Sequence, residues 1–257
     1  MEALEVKVDF EQKIATFGPL TYGGRLFDLF KAAEPKDYLE LITQIKGYET
    51  LGAVEDYLIH FELREGDTVL DCGGHVGVNT AIFAAKVGPK GKVIVLEPDT
   101  RALGCNMSNN YNYKNITYIP VGAWDKKTTS IINQNGWMGV SNVVYSFFSD
   151  MKPSPVRLDR VDDLLKELGI KKINFIKMDI EAAEIQAVKG MEETLKNCDG
   201  FNIAAYHQIL DENNDTRRTI QYVEPWLKKH LPKFNIKIIM GHDGEQIVGW
   251  QNEDRLI

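Results

Sequence analysis

The sequence predicts an α/β fold in which a mostly parallel sheet of seven strands carries helices on both faces. Strand-like and helix-like segments alternate over residues 68–230, and their connections are short. The segment 92–97 is apolar at nearly every position, which is typical of a strand buried on both faces. Two late strand-like segments, 234–240 and 246–250, predict an antiparallel hairpin at one edge of this sheet.

The other elements follow from the spacing of apolar residues along the chain. The predicted strands before the final pair cover residues 68–72, 92–97, 115–124, 173–180 and 201–207. The predicted helices cover residues 76–87, 99–111, 181–196 and 216–230. The stretch 125–160 is rich in Asn, Gly, Ser and Pro, and we predict that it is one long irregular segment.

The N-terminal part carries weaker signals. Residues 1–25 alternate weakly in polarity and predict a short hairpin that turns at residues 18–19. Helical spacing predicts two helices, at 35–46 and 50–63. We therefore expect an N-terminal extension over residues 1–50, placed as a cap over a substrate, followed by one domain over residues 51–257.

Composition excludes several classes of protein. The 257 residues are 44% hydrophobic and 26% charged, which is the balance of a globular protein rather than a disordered or fibrous one. The net charge of −7 disfavours a broad nucleic-acid-binding face, so no nucleic acid partner is expected. Three cysteines without a CxxC pair indicate a reducing compartment. With neither an apolar leader nor a long apolar run, we expect a cytoplasmic protein without a membrane partner.

The strongest local signal is a glycine-rich turn between the first strand of the sheet and its helix. It contains Asp71, Gly73, Gly74, His75 and Gly77, and glycines there allow a ligand to approach the backbone closely. The spacing is D-x-G-x-x-x-G and not the G-x-G-x-x-G of dinucleotide sites. A carboxylate before the first glycine suits a cationic amino group better than a pyrophosphate. S-Adenosylmethionine carries such a group, and His75 is either a contact to its carboxylate or simply exposed.

Two further strand ends fit a nucleoside ligand. Glu97, followed by Pro98, ends the next strand, where a carboxylate accepts hydrogen bonds from both hydroxyls of a ribose. NAD enzymes share this feature, but together with the first motif it indicates a class I methyltransferase. The third strand ends in Ala123, Trp124 and Asp125, where Asp125 could accept from the adenine amine and Trp124 could stack on the ring. The alternative is a turn aspartate and a core tryptophan.

These segments together resemble the FkbM-type methyltransferase family over residues 68–196. The similar runs are VLDCGGHVGVNT, VIVLEPDTRALGCNMSNN, VRLDRVDDLL and INFIKMDIEAAEIQAVKGMEETL. The resemblance implies a Rossmann-like class I methyltransferase fold, S-adenosyl-L-methionine as cofactor, and O-methylation of a hydroxyl on a sugar or other small molecule. One departure is Ala182, where the family usually has Gly; we expect alanine to suit a helix start there. The residues predicted to bind the cofactor are Asp71, Gly73, Gly74, His75, Gly77, Asn79, Thr80, Glu97, Pro98, Ala123, Trp124, Asp125 and Asp179.

The predicted catalytic residues are Asp179, Glu181 and His207. Asp179 ends the fourth strand, beside the expected position of the methyl group, and would orient the acceptor hydroxyl. Glu181 and Glu184 lie three apart and so share a helix face, although carboxylates there also complement the helix dipole. His207 ends the fifth strand, and its reference pKa of ~6.5 makes it the predicted general base. An alternative metal site would hold Mg²⁺ on Asp179 with Glu181 or Glu184.

The acceptor itself is not encoded in any motif. A small molecule or carbohydrate is the expected partner, and a second copy of the chain is left open. Three alternatives remain at this point: an N-methyltransferase acting on a protein, peptide or nucleic acid, an NAD-dependent oxidoreductase, and a non-catalytic binding module. The absence of an N/D-P-P-F/Y motif at Asp179 disfavours base N-methylation, and the glycine spacing disfavours NAD.

Overall fold

The computed structural model describes residues 6–9, 14–17, 20–23, 57–134, 141–142, 152–241 and 244–257. The strands are β1 Val6–Asp9, β2 Ile14–Phe17, β3 Leu20–Gly23, β4 Thr68–Cys72, β5 Lys92–Leu96, β6 Ile116–Ile119, β7 Gly122–Trp124, β8 Thr128–Gln134, β9 Ser141–Asn142, β10 Lys152–Arg160, β11 Phe175–Met178, β12 Gly200–Ala204, β13 Gln208–Leu210, β14 Thr216–Arg218, β15 Asn235–Met240 and β16 Glu245–Trp250. The helices are α1 Val78–Val87, α2 Thr100–Asn109, α3 Val161–Glu167, α4 Glu184–Gly190, α5 Glu192–Asn197 and α6 Ile220–His230. A short 3₁₀ helix covers Glu253–Arg255.

The central sheet has seven strands in the order β15-β16-β12-β11-β4-β5-β6. Neighbouring strands are parallel from β12 to β6, whereas β16 runs antiparallel to both β12 and β15. The predicted α/β fold and its antiparallel C-terminal hairpin are therefore confirmed. Because β11, β4 and β5 are central and parallel, their carboxyl ends meet at one edge, where open α/β sheets bind ligands.

The residues of β5 show why this sheet is buried on both faces. Ile94 and Leu96 pack into a core shared with Leu70 and Ile176, whereas Val93 and Val95 face a second core on the other side. All of these side chains are 0–1% exposed. Alternate residues of a strand point to opposite faces, so a continuous apolar run is what two covered faces require.

The prediction for residues 125–160 is wrong, because much of this stretch forms a second sheet in the order β7-β10-β8-β9. Ile132, Val156 and Leu158 give this sheet a small core of its own. Polar residues and two prolines hid the strands. Among the described residues, β10 pairs only with β8 at Pro153 and Pro155, and it meets β7 only over residues 158–160. Both prolines therefore lie where one side of β10 has no neighbouring strand, a position that tolerates proline.

Two further predicted elements have different bounds. The helix predicted over 181–196 begins only at Glu184 and is interrupted at Met191, which has a φ of −127°. The predicted third strand, 115–124, divides into β6 in the central sheet and β7 in the second sheet. The break between β6 and β7 carries the chain out of the central sheet.

The N-terminal predictions are tested only in part. Strands β2 and β3 pair antiparallel around residues 18–19, as the predicted hairpin requires, and β1 adds a third strand. The helix predicted at 35–46 lies outside the described residues. Of the helix predicted at 50–63, the described part begins with a turn at residues 57–60. The boundary between an extension and a domain at residue 50 stays a prediction.

Two smaller expectations concern cysteines and membranes. All three cysteines are buried and free, so none forms a disulfide. Among the helices of the described residues, none is both long and apolar enough to cross a membrane.

Candidate active site

The glycine-rich turn joins β4 to α1 through three residues with left-handed backbone. The φ angles are +80° at Gly73, +44° at His75 and +95° at Gly77. A Cβ atom on Gly73 would lie 1.9 Å from the backbone oxygen of Asp179, at the end of β11. The loop therefore needs glycine both for its conformation and for its close contact with the neighbouring strand end.

Three asparagine side chains of α2 and its C-cap hold this loop from below. The Nδ2 groups of Asn106, Asn109 and Asn110 donate hydrogen bonds to the carbonyl oxygens of Gly74, Val76 and Gly77, at 2.9, 2.8 and 2.9 Å. We call these three residues the asparagine clamp. Sequence reasoning missed it, although the run NMSNN places the three on one helix face at spacings of three and four. The clamp fixes the loop through neutral hydrogen bonds, of which those from Asn106 and Asn110 are buried and that from Asn109 is partly buried.

Asp71 and Thr80 lie under the loop and not in it. Asp71 is fully buried; Thr80 Oγ1 donates to its Oδ2 at 2.6 Å, and Lys177 Nζ lies 3.4 Å from its Oδ1. Lys177 also donates to the carbonyl oxygen of Gly73 at 2.6 Å. Burial would lower the pKa of Lys177, but the negative charges of Asp71 and Asp179 outweigh it and raise that pKa.

This geometry changes the interpretation of two predicted ligand contacts. The carboxylate of Asp71 already neutralises Lys177, so a ligand's ammonium group would have to displace a buried protein cation to reach it. Thr80 is also fully buried, and its hydroxyl accepts a hydrogen bond from Asn106 at 3.0 Å. Both residues thus position the loop in the structure described.

Glu97 lies directly beside the loop, as predicted. Its Oε2 accepts the backbone N–H of His75 at 3.0 Å, and its Oε1 accepts the backbone N–H of Asp99 at 2.8 Å. Burial outweighs these two hydrogen bonds and raises the pKa of Glu97 to about 7. Each carboxylate oxygen keeps a second lone pair, so Glu97 can still accept hydrogen bonds from a vicinal diol. Pro98, next to it, is half-buried.

The end of β7 provides a third part of the predicted nucleoside site. Ala123 is buried, and Trp124 and Asp125 are half-buried. Trp124 packs against the core of the second sheet, which gives the packing alternative a structural basis. Asp125 Oδ1 and Asn79 Oδ1 are buried acceptors without a hydrogen-bond donor among the described residues. A ligand with N–H or O–H donors would satisfy both, so this part of the chain fits an adenosine-containing cofactor.

Four predicted residues form an acidic cluster around one imidazole at the ends of β11 and β12. His207 Nδ1 lies 3.1 Å from Glu184 Oε1, and His207 Nε2 lies 3.4 Å from Asp179 Oδ1 and 3.6 Å from Glu181 Oε2. The Glu184 side chain is fully buried and also accepts the backbone N–H of Ile180 at 3.0 Å. The fold therefore brings the predicted catalytic residues together.

The charges within the acidic cluster determine its protonation. Burial would lower the pKa of His207, but Glu184 and Asp179 raise it well above 6.5. Burial opposes the shift at Asp179 as well, yet its contacts with His207 hold its pKa below the usual range. Burial and the charge of Asp179 raise the pKa of Glu181 to about 7. The carboxylates around His207 therefore favour its protonated form, whereas the sequence-based prediction of a general base relied on the reference pKa.

The backbone between β11 and α4 differs from the predicted helix start. Glu181 has a φ of +55° and Ala182 a φ of +77°, and the helix begins only at Glu184. The expectation that alanine suits position 182 as a helix start is therefore wrong, because this position is a left-handed turn that favours glycine. Glu181 and Glu184 do not share a helix face; instead the turn directs both toward His207.

Tyr57 is a further member of the site that the sequence did not reveal. Its hydroxyl donates to Asp179 Oδ2 at 2.8 Å, and its ring lies 5.4 Å from Lys177 Nζ. Tyr57 precedes Asp179 by 122 residues, so no local pattern could connect them. Lys177 had no predicted role, although its charge links the glycine loop to the acidic cluster.

The Mg²⁺ alternative fits these residues poorly. Asp179, Glu184 and His207 do place ligand-type atoms within 4.8 Å of one another. The centre of this group is an imidazole, however, and Mg²⁺ prefers oxygen ligands and retains several waters. Glu184 Oε1 is already used by a backbone N–H and by the imidazole.

The chain is similar to one family model and to several solved structures. A family model described as the methyltransferase FkbM domain matches residues 71–231, a range that also contains His207. No curated protein matches. Among solved structures, Aeropyrum pernix fibrillarin with natively bound S-adenosyl-L-methionine is 13% identical, with 73% of this chain and 68% of that chain covered and a TM-score of 0.43. A putative O-methyltransferase from Klebsiella pneumoniae is 13% identical, with 72% of this chain and 73% of that chain covered and a TM-score of 0.45. A putative rRNA-methylase from Clostridium thermocellum is 12% identical, with 84% of this chain and 97% of that chain covered and a TM-score of 0.42.

Proposed function

The chain belongs to the FkbM-domain methyltransferase family, whose model matches residues 71–231, and we propose that it transfers the methyl group of S-adenosylmethionine to a hydroxyl group of a small molecule or sugar. The observation that carries this proposal is the position of the acidic cluster. Its backbone touches the glycine loop, since a Cβ on Gly73 would lie 1.9 Å from Asp179 O. A methyl donor held by the loop would thus present its reactive carbon beside several proton acceptors.

The donor side of the site supports S-adenosylmethionine through residues that suit its ribose and its adenine. Glu97 offers carboxylate lone pairs to the ribose hydroxyls. Asp125 Oδ1 and Asn79 Oδ1 lack donors among the described residues and suit the adenine amine and other polar hydrogens of the ligand. Nothing in the loop resembles a pyrophosphate cradle, since its central backbone N–H, that of His75, already donates to Glu97.

The acceptor side supports a hydroxyl substrate. Methyl transfer from a sulfonium is an in-line displacement, so the protein mainly aligns the two reactants and excludes water. A hydroxyl, whose pKa is far above 7, must lose its proton during the attack, and this requires a base. Asp179 and Glu181 are partly exposed acceptors at the strand ends, with Tyr57 and His207 holding Asp179 in place. Bound substrate hydroxyls would donate to these carboxylates.

The direct test is to follow the methyl group. The chain is incubated with methyl-labelled S-adenosylmethionine and fractions of a metabolite extract, and labelled products are identified by mass spectrometry. We expect the label on the oxygen of a hydroxyl-bearing small molecule, and much less of it with the Glu97→Ala variant at the same cofactor concentration. Label on protein or nucleic acid, or on a nitrogen atom, would contradict the proposed acceptor class.

A further inference from the structure

We propose that Glu181, rather than His207, accepts the proton of the acceptor hydroxyl, while Glu184 positions His207 as a permanent cation. This inference rests on the proposed function, because it assigns the base of that same reaction. The carboxylates and the imidazole of the cluster differ in how far a substrate can reach them. The side chains of Glu181 and Asp179 are 29% and 23% exposed, whereas His207 is 8% exposed and Glu184 is fully enclosed. A substrate can therefore reach the two carboxylates more readily than the imidazole.

The two exposed carboxylates, Asp179 and Glu181, differ in how many hydrogen-bond donors and positive charges lie beside them. Asp179 accepts a hydrogen bond from Tyr57, faces His207 at 3.4 Å and interacts with the charge of Lys177. Among the described residues, the nearest charged partner of Glu181 is His207 at 3.6 Å, and His207 is already shared with two other carboxylates. Asp179 therefore stays ionised as a fixed acceptor, whereas Glu181 is the carboxyl most easily protonated.

The groups around Glu181 bring its pKa close to neutral pH. Burial and the negative charges of Asp179 and Glu184 raise the pKa of Glu181, and the positive charges of His207 and Lys177 lower it, with a net result of about 7. A base whose pKa lies near the working pH is the most effective proton acceptor. His207 cannot take this role while both of its ring nitrogens face carboxylates.

The backbone gives a separate indication that the position of Glu181 matters. Glu181 and Ala182 are both left-handed, a conformation that costs roughly 1–2 kcal/mol per non-glycine residue. Such strain persists where the surrounding structure enforces it, commonly at functional sites. Here the strained turn places Glu181 before the α4 helix and brings its partly exposed side chain to His207.

In the proposed step, the O–H bond of the acceptor breaks and its proton passes to the carboxylate of Glu181. The oxygen's electron pair forms a bond to the methyl carbon, and the electrons of the carbon–sulfur bond remain on sulfur. The products are a methyl ether and S-adenosylhomocysteine, and the protonated Glu181 then loses its proton to solvent at its exposed edge. Because His207 keeps its proton throughout, the negative charge of Asp179 stays compensated.

Nitrogen-15 NMR of the imidazole rings between pH 5 and 9 tests the assignment without any acceptor. In the wild type with S-adenosylhomocysteine bound, we expect both ring nitrogens of His207 to stay protonated through pH 8. A smaller shift of the same signals near pH 7 reports ionisation of Glu181 and disappears in Glu181→Gln. In Glu184→Gln the His207 midpoint should fall by about one unit or more, because an opposite charge at this distance shifts a pKa by that much.

A His207 midpoint near 6.5 in the wild type, unchanged in Glu181→Gln, would overturn the inference. The Glu181→Gln variant changes a partly exposed side chain, so the test survives if the buried Glu184→Gln variant fails to fold. Affinity for S-adenosylhomocysteine separates this inference from the proposed function. If that ligand does not bind, the proposed function fails; if it binds and His207 titrates near 6.5, only the assignment of the base fails.

Discussion

The two sides of the site are held by different forces. On the donor side, the glycine loop is fixed by backbone geometry and by the neutral hydrogen bonds of the asparagine clamp. On the acceptor side, three carboxylates crowd one imidazole, and two non-glycine residues are left-handed. The donor side, although His75 is left-handed and Glu97 and Lys177 also contact the loop, is therefore mainly preformed, whereas the acceptor side concentrates charge and strain that a reaction can use.

This difference predicts which changes affect binding and which affect stability. Substitutions on the donor side should weaken the affinity for S-adenosylhomocysteine, because they distort a preorganised surface. Substitutions on the acceptor side should leave that affinity nearly unchanged and alter protonation or backbone strain instead.

The largest effect is expected for Gly73→Ala. The new Cβ would lie 1.9 Å from Asp179 O, and the φ of +80° is itself unfavourable for alanine. We expect a loss of about 3 kcal/mol in the free energy of unfolding and no measurable binding of S-adenosylhomocysteine. Calorimetric titration and thermal denaturation measure these. The matched control is Gly104→Ala, an exposed position in α2 with nothing within 4 Å, which should gain up to about 1 kcal/mol.

Glu97→Ala should have the next largest effect. It removes the acceptor for the backbone N–H of His75 in the loop, for that of Asp99 at the start of α2, and for the ribose hydroxyls. We expect the dissociation constant of S-adenosylhomocysteine to rise about 10- to 100-fold, which corresponds to roughly 1.4–3 kcal/mol. Glu65→Ala, at an exposed residue paired with Lys90, should change nothing. Equal affinities of the two variants would refute the ribose assignment.

The pH dependence of binding provides a second test of Glu97. Its folded pKa of about 7 is above the ordinary value, so the unliganded protein binds a proton there that the unfolded chain releases near pH 4.5. The free energy of unfolding therefore falls as pH rises from about 4.5 to 7. The affinity for a diol that binds the carboxylate form instead rises from pH 5 to 7 and then stays constant. The rise should approach tenfold per pH unit below 7. It should be absent in Glu97→Ala, and a flat wild-type profile would contradict the shift.

A smaller effect is expected for the asparagine clamp. Asn109→Ala removes the hydrogen bond to Val76 O and should weaken S-adenosylhomocysteine binding about 5- to 10-fold, corresponding to about 1 kcal/mol. Hydrogen exchange of the amides in residues 73–77 should become faster. Ser108→Ala, exposed on the same helix, is the control and should leave both measurements unchanged. If the two variants behave alike, the clamp does not preform the loop.

The smallest effect is expected for Ala182→Gly, on the acceptor side. Glycine adopts a φ of +77° without strain, so the free energy of unfolding should rise by about 1 kcal/mol. The affinity for S-adenosylhomocysteine should stay the same. Ala183 lies next to it with a right-handed φ of −81°, so Ala183→Gly should destabilise by about 0.5–1 kcal/mol. Opposite signs for two adjacent alanines would be hard to explain except by the backbone.

The same comparison shows what the sequence could predict. The central sheet, the loop glycines and Glu97 depend on local patterns: apolar strands, a D-x-G-x-x-x-G turn and an acidic strand end. The asparagine clamp was visible as NMSNN but had no obvious partner, because its acceptors are carbonyl groups of a distant loop. The second sheet was hidden by polar strands that contain proline.

On the acceptor side the residues were predictable but their states were not. Asp179, Glu181 and His207 were identified from strand ends and motif spacing. The protonation of His207 depends on Glu184 and Asp179 closing around it, and the strain at Ala182 depends on where α4 begins. Tyr57 belongs to a segment far upstream. Such features arise from tertiary contacts, which spacing alone does not specify.

The central claim is that the loop and Glu97 hold an adenosyl sulfur compound. Isothermal titration of the purified chain with S-adenosylhomocysteine and, separately, with NAD⁺ tests this most directly. We expect one S-adenosylhomocysteine per chain, with binding abolished by Gly73→Ala and preserved in Gly104→Ala, and no heat from NAD⁺. Binding of NAD⁺ without binding of S-adenosylhomocysteine would contradict the account.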